Sequence, residues 1–120
     1  MKTPHILMMA AGTGGHVFPA LAVSEELTKR GAVIHWLGTA TGMENSLVES
    51  TGYAFHPITM QGLRGKGVKR LLKMPVTLLS ATMAAMKIIR SNQIEMVVGF
   101  GGYVTAPGGI AARMTGTPLI

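Results

Sequence analysis

Two glycine-rich segments hold the residues of this chain best suited to chemistry. The first is Gly12-Thr13-Gly14-Gly15-His16-Val17-Phe18-Pro19, and the second is Gly99-Phe100-Gly101-Gly102-Tyr103-Val104-Thr105-Ala106-Pro107-Gly108. Both contain a Gly-Gly pair, a ring with a polar atom, a valine and, soon after, a proline. Glycine lets the backbone turn through positive φ and lets a ligand approach the main chain. Where such a turn opens a helix, unpaired amides point outward and the helix dipole favours negative charge. Each segment alone also reads as a tight strand-to-helix connection. As a matched pair they suit a diphosphate, or charge developing on one. His16 has two readings as well. It is a polar residue making one hydrogen bond at a helix start, or it is a general base. A helix N-terminus disfavours imidazolium, so it would keep this ring neutral and able to accept a proton near pH 7. His5, His35 and His56 fall in predicted strands and are spread out, so they read as structural, and no metal-ligand spacing appears.

Two familiar nucleotide-binding signatures are missing. A P-loop requires GxxxxGK[ST], and neither segment contains a lysine. A dinucleotide fingerprint requires G-x-G-x-x-G/A, but Val17 stands at the third position. The acid that would grip a ribose is also absent, because the second predicted strand ends Leu37-Gly38-Thr39-Ala40.

The elements that must position these segments follow from the apolar pattern. Residues 5–11 form a continuous apolar run that stops at Gly12, as in a strand buried on both faces. A helix is predicted over 19–30, with Pro19 in its first turn, Gly31 as its stop, and Leu21, Val23 or Ala22, and Leu27 on its buried face. Strands follow at 32–38 and 53–60, the latter nearer an edge because Pro57 cannot donate to a ladder. A short helix at 44–50 lies between them. Further helices are predicted from Pro75 to about Arg90 and over 108–116, with a strand at 94–98 and another beginning at 117–120. This alternation argues for an α/β fold, a Rossmann-like parallel sheet with helices on both faces. In a 3-2-1-4-5 strand order the two glycine segments would leave adjacent strand ends at the topological switch point, where open α/β sheets bind ligands.

Composition narrows the function classes. The chain has 120 residues, 48% of them hydrophobic and 13% charged, which excludes whole-chain disorder. With no cysteine, disulfides and thiolate chemistry are excluded. All five acids are glutamates, so no metal site of paired aspartates exists within it. The net charge is +6, and Arg64, Lys66, Lys69, Arg70 and Lys73 account for all but +1 of it. Such a local patch points to an anionic partner. The same segment carries Leu71, Leu72, Met74, Val76 and Leu79, and reads either as a solvated charge run beside a core helix or as a surface docking on anionic lipid. It contains no aromatic ring for stacking bases, which argues against a nucleic-acid partner. No secretory signal is visible, and the 13-residue stretch 74–86 is short of the ~20 residues of a membrane span. The final TPLI stops inside an apolar strand, so the chain reads as part of a longer protein.

Taken together, GTGGHVFPALA at 12–22, WLGT at 36–39, GLRGKG at 62–67 and GFGGYVTAPGGIAA at 99–112 resemble the N-terminal domain of the bacterial N-acetylglucosamine transferases that convert lipid I to lipid II in peptidoglycan synthesis. The resemblance runs in register over nearly the whole chain. It implies the N-terminal, acceptor-side half (residues 1–120) of a GT-B glycosyltransferase whose donor-binding C-terminal domain is absent here, so that the isolated chain is inactive. It implies an inverting, metal-independent transfer from UDP-N-acetylglucosamine to the 4-hydroxyl of the muramyl sugar of lipid I, with no cofactor. By motif, Thr13, Gly14 and Gly15 fall on the donor, His16 on the catalytic base, and Gly101, Gly102 and Tyr103 near the acceptor diphosphate. Arg64, Lys66, Lys69, Arg70, Leu72, Lys73, Val76 and Leu79 fall on a surface that docks peripherally on the anionic cytoplasmic face of the bacterial plasma membrane. The chain departs from that pattern in lacking an aromatic ring in the patch, with Leu79 and Thr82 at positions where bulky rings occur. Another GT-B transferase with a different lipid acceptor, or a non-enzymatic anion-binding α/β module, are the alternatives.

Overall fold

Strand β1 (His5–Ala10) is buried from Ile6 onward, as its unbroken apolar run requires. The computed structural model describes residues 3–10, 14–39, 43–58, 68–101 and 104–120. Along the chain, β1 is followed by α1 (Gly14–Lys29), β2 (Val33–Thr39), α2 (Met43–Glu49), β3 (Ala54–Ile58), α3 (Val68–Ser91), β4 (Met96–Gly101) and α4 (Thr105–Thr115). The sheet is parallel and ordered β3-β2-β1-β4. Residues 118–120 continue it along the free side of β4. Val97 N–H donates to the Pro118 carbonyl at 2.9 Å, and Ile120 N–H donates back to the Val97 carbonyl at 2.9 Å. The expected order is therefore present for its four named strands, with residues 118–120 in the fifth place.

The two faces of the sheet bury different helices. Ile6, Met8, Ala10, Ile34 and Trp36 pack with Val17 and Ala20 of α1 and Val48 of α2. The alternate residues Leu7, Met9, Leu37, Ile58 and Val97 pack with Ala81, Ala85 and Ile89 of α3 and Ala111 and Ala112 of α4. Trp36 donates its indole N–H to the Ala10 carbonyl at 3.1 Å, so the only tryptophan ties β2 to the last residue of β1. On α4, a Cβ at Gly108 would collide with Met9 Sδ and stand 3.1 Å from Leu37 Cδ2. Glycine is what lets this helix lie directly on the sheet.

Several expected boundaries move. α1 starts at Gly14 rather than Pro19, and Pro19 lies inside it. Its buried face is Val17, Ala20 and Ser24, whereas Ala22 and Val23 are exposed. Burial of Ser24 is tolerated because its hydroxyl donates to the Ala20 carbonyl at 2.7 Å, one turn back. α3 likewise begins seven residues before Pro75, so half of the basic segment is helical. Pro75 removes one amide donor from this helix of 24 residues, about 36 Å long, whose core contacts begin about one and a half turns later at Ala81. β4 runs on through Gly99 to Gly101, and α4 begins at Thr105, so the second glycine segment is mostly strand and helix.

Candidate functional site

The carboxyl ends of β1 and β4 are neighbours. Ala10 pairs with Gly101, after a register shift between Met9 and Ala10. Gly101 has φ 111°, a conformation side chains resist, so glycine is required where β4 leaves the sheet. From these adjacent ends the chain turns to opposite faces. α1 packs with the Met8 and Ala10 side and α4 with the Leu7 and Met9 side. This is a topological switch point, the kind of place where open α/β sheets bind ligands.

Gly14, Gly15 and His16 are the first three residues of α1. Their amides are among the four at a helix start with no intrahelical carbonyl to meet. On α4 the first turn follows Val104, whose side chain makes no capping hydrogen bond. Neither first turn contains an acid to compete for an anion. Both helix starts thus present amide donors and positive dipole ends at one edge of the sheet. The backbone places Gly14, Gly15, His16 and Gly101 there. Thr13, Gly102 and Tyr103 lie outside the described residues, as does the side chain of His16.

The second surface is on α3. Leu72, Val76 and Leu79 are 70%, 68% and 62% exposed, and Met83 continues the stripe at 61%. Spacings of four, three and four put these residues on one helical face. The opposite face buries Ala81, Ala85 and Ile89. Lys69, Arg70 and Lys73 belong to the first two turns of the same helix, but their side chains lie outside the description, and so do Arg64 and Lys66 entirely. Thr82 is not part of this surface. It is 5% exposed, and its hydroxyl donates to the Leu78 carbonyl at 2.7 Å. Among the described residues no helix is long and apolar enough to cross a membrane.

Three histidines expected to be spread out stand in contact. His5 Nδ1 lies 2.9 Å from His35 Nε2, and His35 Nδ1 lies 3.0 Å from His56 Nε2. Burial, reinforced by the neighbouring rings of His56 and His5, lowers the His35 pKa to about 4. Burial also lowers that of His56. The signal was available: each histidine precedes by two residues an apolar core residue (Leu7, Leu37, Ile58), so once strand order is known all three share a face. Among the described residues no group of three histidines or acids is arranged to hold a metal ion.

The model of the glycosyltransferase family 28 N-terminal domain matches residues 6–120. Proteins of Psychrobacter arcticus and Psychrobacter cryohalolentis are each 83% identical over all 120 residues. Both are named UDP-N-acetylglucosamine--N-acetylmuramyl-(pentapeptide) pyrophosphoryl-undecaprenol N-acetylglucosamine transferase. The chain spans about a third of the length of these curated relatives, 33%. Among solved structures, the crystal structure of Acinetobacter baumannii MurG superposes with a TM-score of 0.85 at 50% identity, over 97% of this chain and 33% of that one. A kitacinnamycin glycosyltransferase superposes at 0.72 with 18% identity, which speaks for the fold alone. The four-motif resemblance and the GT-B fold are thus borne out. With the family model covering nearly every residue of both faces of the switch point, the chain belongs to glycosyltransferase family 28, through that family's N-terminal domain.

Proposed function

We propose that the protein transfers N-acetylglucosamine from UDP-N-acetylglucosamine to the 4-hydroxyl of the muramyl sugar of lipid I, giving lipid II, and that residues 1–120 form its acceptor-side, membrane-facing domain. The observation that carries this reading is the 83% identity, over the full chain, to proteins named for that transfer. The switch point supports it, because the substrates are diphosphates and two helix starts there offer amide donors.

In the proposed mechanism the 4-hydroxyl oxygen attacks the anomeric carbon as the bond to the UDP oxygen breaks, with inversion. His16 takes the hydroxyl proton. Its position in the first turn of α1 favours the neutral ring that this role needs. Thr13, Gly14 and Gly15 touch the donor from the same turn. Gly101, Gly102 and Tyr103 hold the acceptor diphosphate, with the α4 amides facing it. The reaction proceeds without metal or cofactor, in keeping with the absence of aspartate from the chain.

The exposed stripe Leu72, Val76, Leu79, flanked by Arg64, Lys66, Lys69, Arg70 and Lys73, docks the protein on anionic lipid at the cytoplasmic face of the plasma membrane. The test is transfer by the purified full-length protein from labelled UDP-N-acetylglucosamine to a lipid I analogue, with and without EDTA. A disaccharide product of inverted configuration at an unchanged rate in EDTA is expected. Transfer only to some other lipid-linked acceptor would overturn the assignment of lipid I.

A further inference from the structure

The histidine row lies apart from the proposed catalytic edge. His5 is the first residue of β1, whose carboxyl end at Ala10 is five residues, or about 16 Å of strand, away. The row crosses the sheet diagonally. His35 stands opposite Leu7 and His56 opposite Leu37, so each ring reaches its neighbour one pair down. The middle ring is 6% exposed, while the two end rings are half-buried and reach solvent. Among the described residues no ion pair holds the rings in place. Lys87 and Arg90 of α3, Arg113 of α4 and Glu95 before β4 are all exposed. Glu95 meets His5 only through its backbone N–H, which donates to the His5 carbonyl at 2.8 Å. The ion pairs among the described residues are both at the C-terminal end of α1, Lys29 with Glu25 and, just past the helix, Arg30 with Glu26.

Counting hydrogens shows what such a row does. Each N···N contact holds one hydrogen, shared between a donor and an acceptor. Three neutral rings carry three N–H groups: two fill the contacts and one sits on an outer nitrogen. A further proton fits on the opposite outer nitrogen, and both contacts survive. The next one has no place except inside a contact, where two N–H groups would face each other. That contact must break.

We propose that His5, His35 and His56 form a binding site for a single proton, which enters at either exposed end, passes along the row, and excludes a second proton for as long as β1, β2 and β3 stay zipped. Uptake of the second proton releases the weakest member. That is β3, a five-residue edge strand in which Pro57 lacks an amide donor. The depressed pKa of His35, which burial and the neighbouring rings cause, fits a row that resists charge at its centre.

The test uses the full chain with ¹⁵N-labelled histidine rings, assigned by single substitutions. Through-hydrogen-bond couplings between ring nitrogens are expected for both pairs at pH 8. As the pH falls, one proton should enter with both couplings retained. The second should enter only as one coupling and the amide protection of residues 54–58 are lost together. In His35→Leu the ends are uncoupled, so His5 and His56 should each charge while residues 54–58 stay protected. Should that variant not fold, His5→Gln leaves a two-ring row, which should still take one proton with its remaining coupling intact. Absence of both couplings at pH 8, or two rings charging with both couplings and β3 protection unchanged, would overturn the proposal.

Discussion

At the residue scale, two histidines are assigned opposite tasks. His16 opens α1, where the dipole favours a neutral, proton-accepting ring. If it is the base, His16→Ala in the full-length protein lowers kcat about 10²–10⁴-fold, with the donor KM little changed. Steady-state kinetics with a lipid I analogue check this, and unchanged turnover would remove His16 from the role. His35 instead serves the fold. Its pKa is lowered to about 4 from 6.5, so between those values the unfolded chain binds more protons than the folded one. Stability contributed by the neutral ring is therefore full above pH 6.5 and declines toward pH 4, by at most about 1.4 kcal/mol per pH unit. Thermal melts followed by Trp36 fluorescence should show Tm falling across that window. In His35→Leu the fall should be shallower.

At the scale of elements, α4 decides how closely the second glycine segment approaches β1. Gly108 lies against Met9 and Leu37, both fully buried. Gly108→Ala must push the helix or the Met9 side chain aside, for a loss of about 1–3 kcal/mol, readable from urea unfolding at constant m. Because α4 starts three residues before Gly108, the same substitution should also raise the acceptor KM. α3 shows how far local pattern was legible. Its apolar residues predict a helix, and Pro75 suits its start because a first turn tolerates proline best. The helix instead begins at Val68 and runs through Pro75, while the residues of it that pack on the core start at Ala81. The same lesson applies to Pro19 in α1, where the helix start falls on Gly14 and brings His16 into the first turn.

For the whole molecule, the exposed stripe on α3 and the basic segment beside it set how it would meet a membrane. Reversing Lys66, Lys69 and Arg70 to Glu removes three attractions worth about 1 kcal/mol each, so binding to vesicles rich in phosphatidylglycerol should weaken by about 100-fold or more. Cosedimentation at low salt reads this out, and retention of the triple variant would refute electrostatic docking. Leu79→Asp should also weaken binding while leaving the melt unchanged, since Leu79 is 62% exposed and supports no core contact.

The order of strands and helices, the twin glycine segments and the family were all legible in the residues, because a strand buried on both faces and a glycine before a helix leave local signatures. Strand order put Ala10 beside Gly101 as expected, since right-handed crossovers leave few alternatives. The burial of Ser24 and Thr82 depends on which helix face packs inward, and each hydroxyl then donates one turn back within its own helix. The shared face of His5, His35 and His56 could be read once strand order was known, but their contacts within about 3 Å could not. Such distances are set by register and close packing between segments 20 to 30 residues apart, and no local pattern records them.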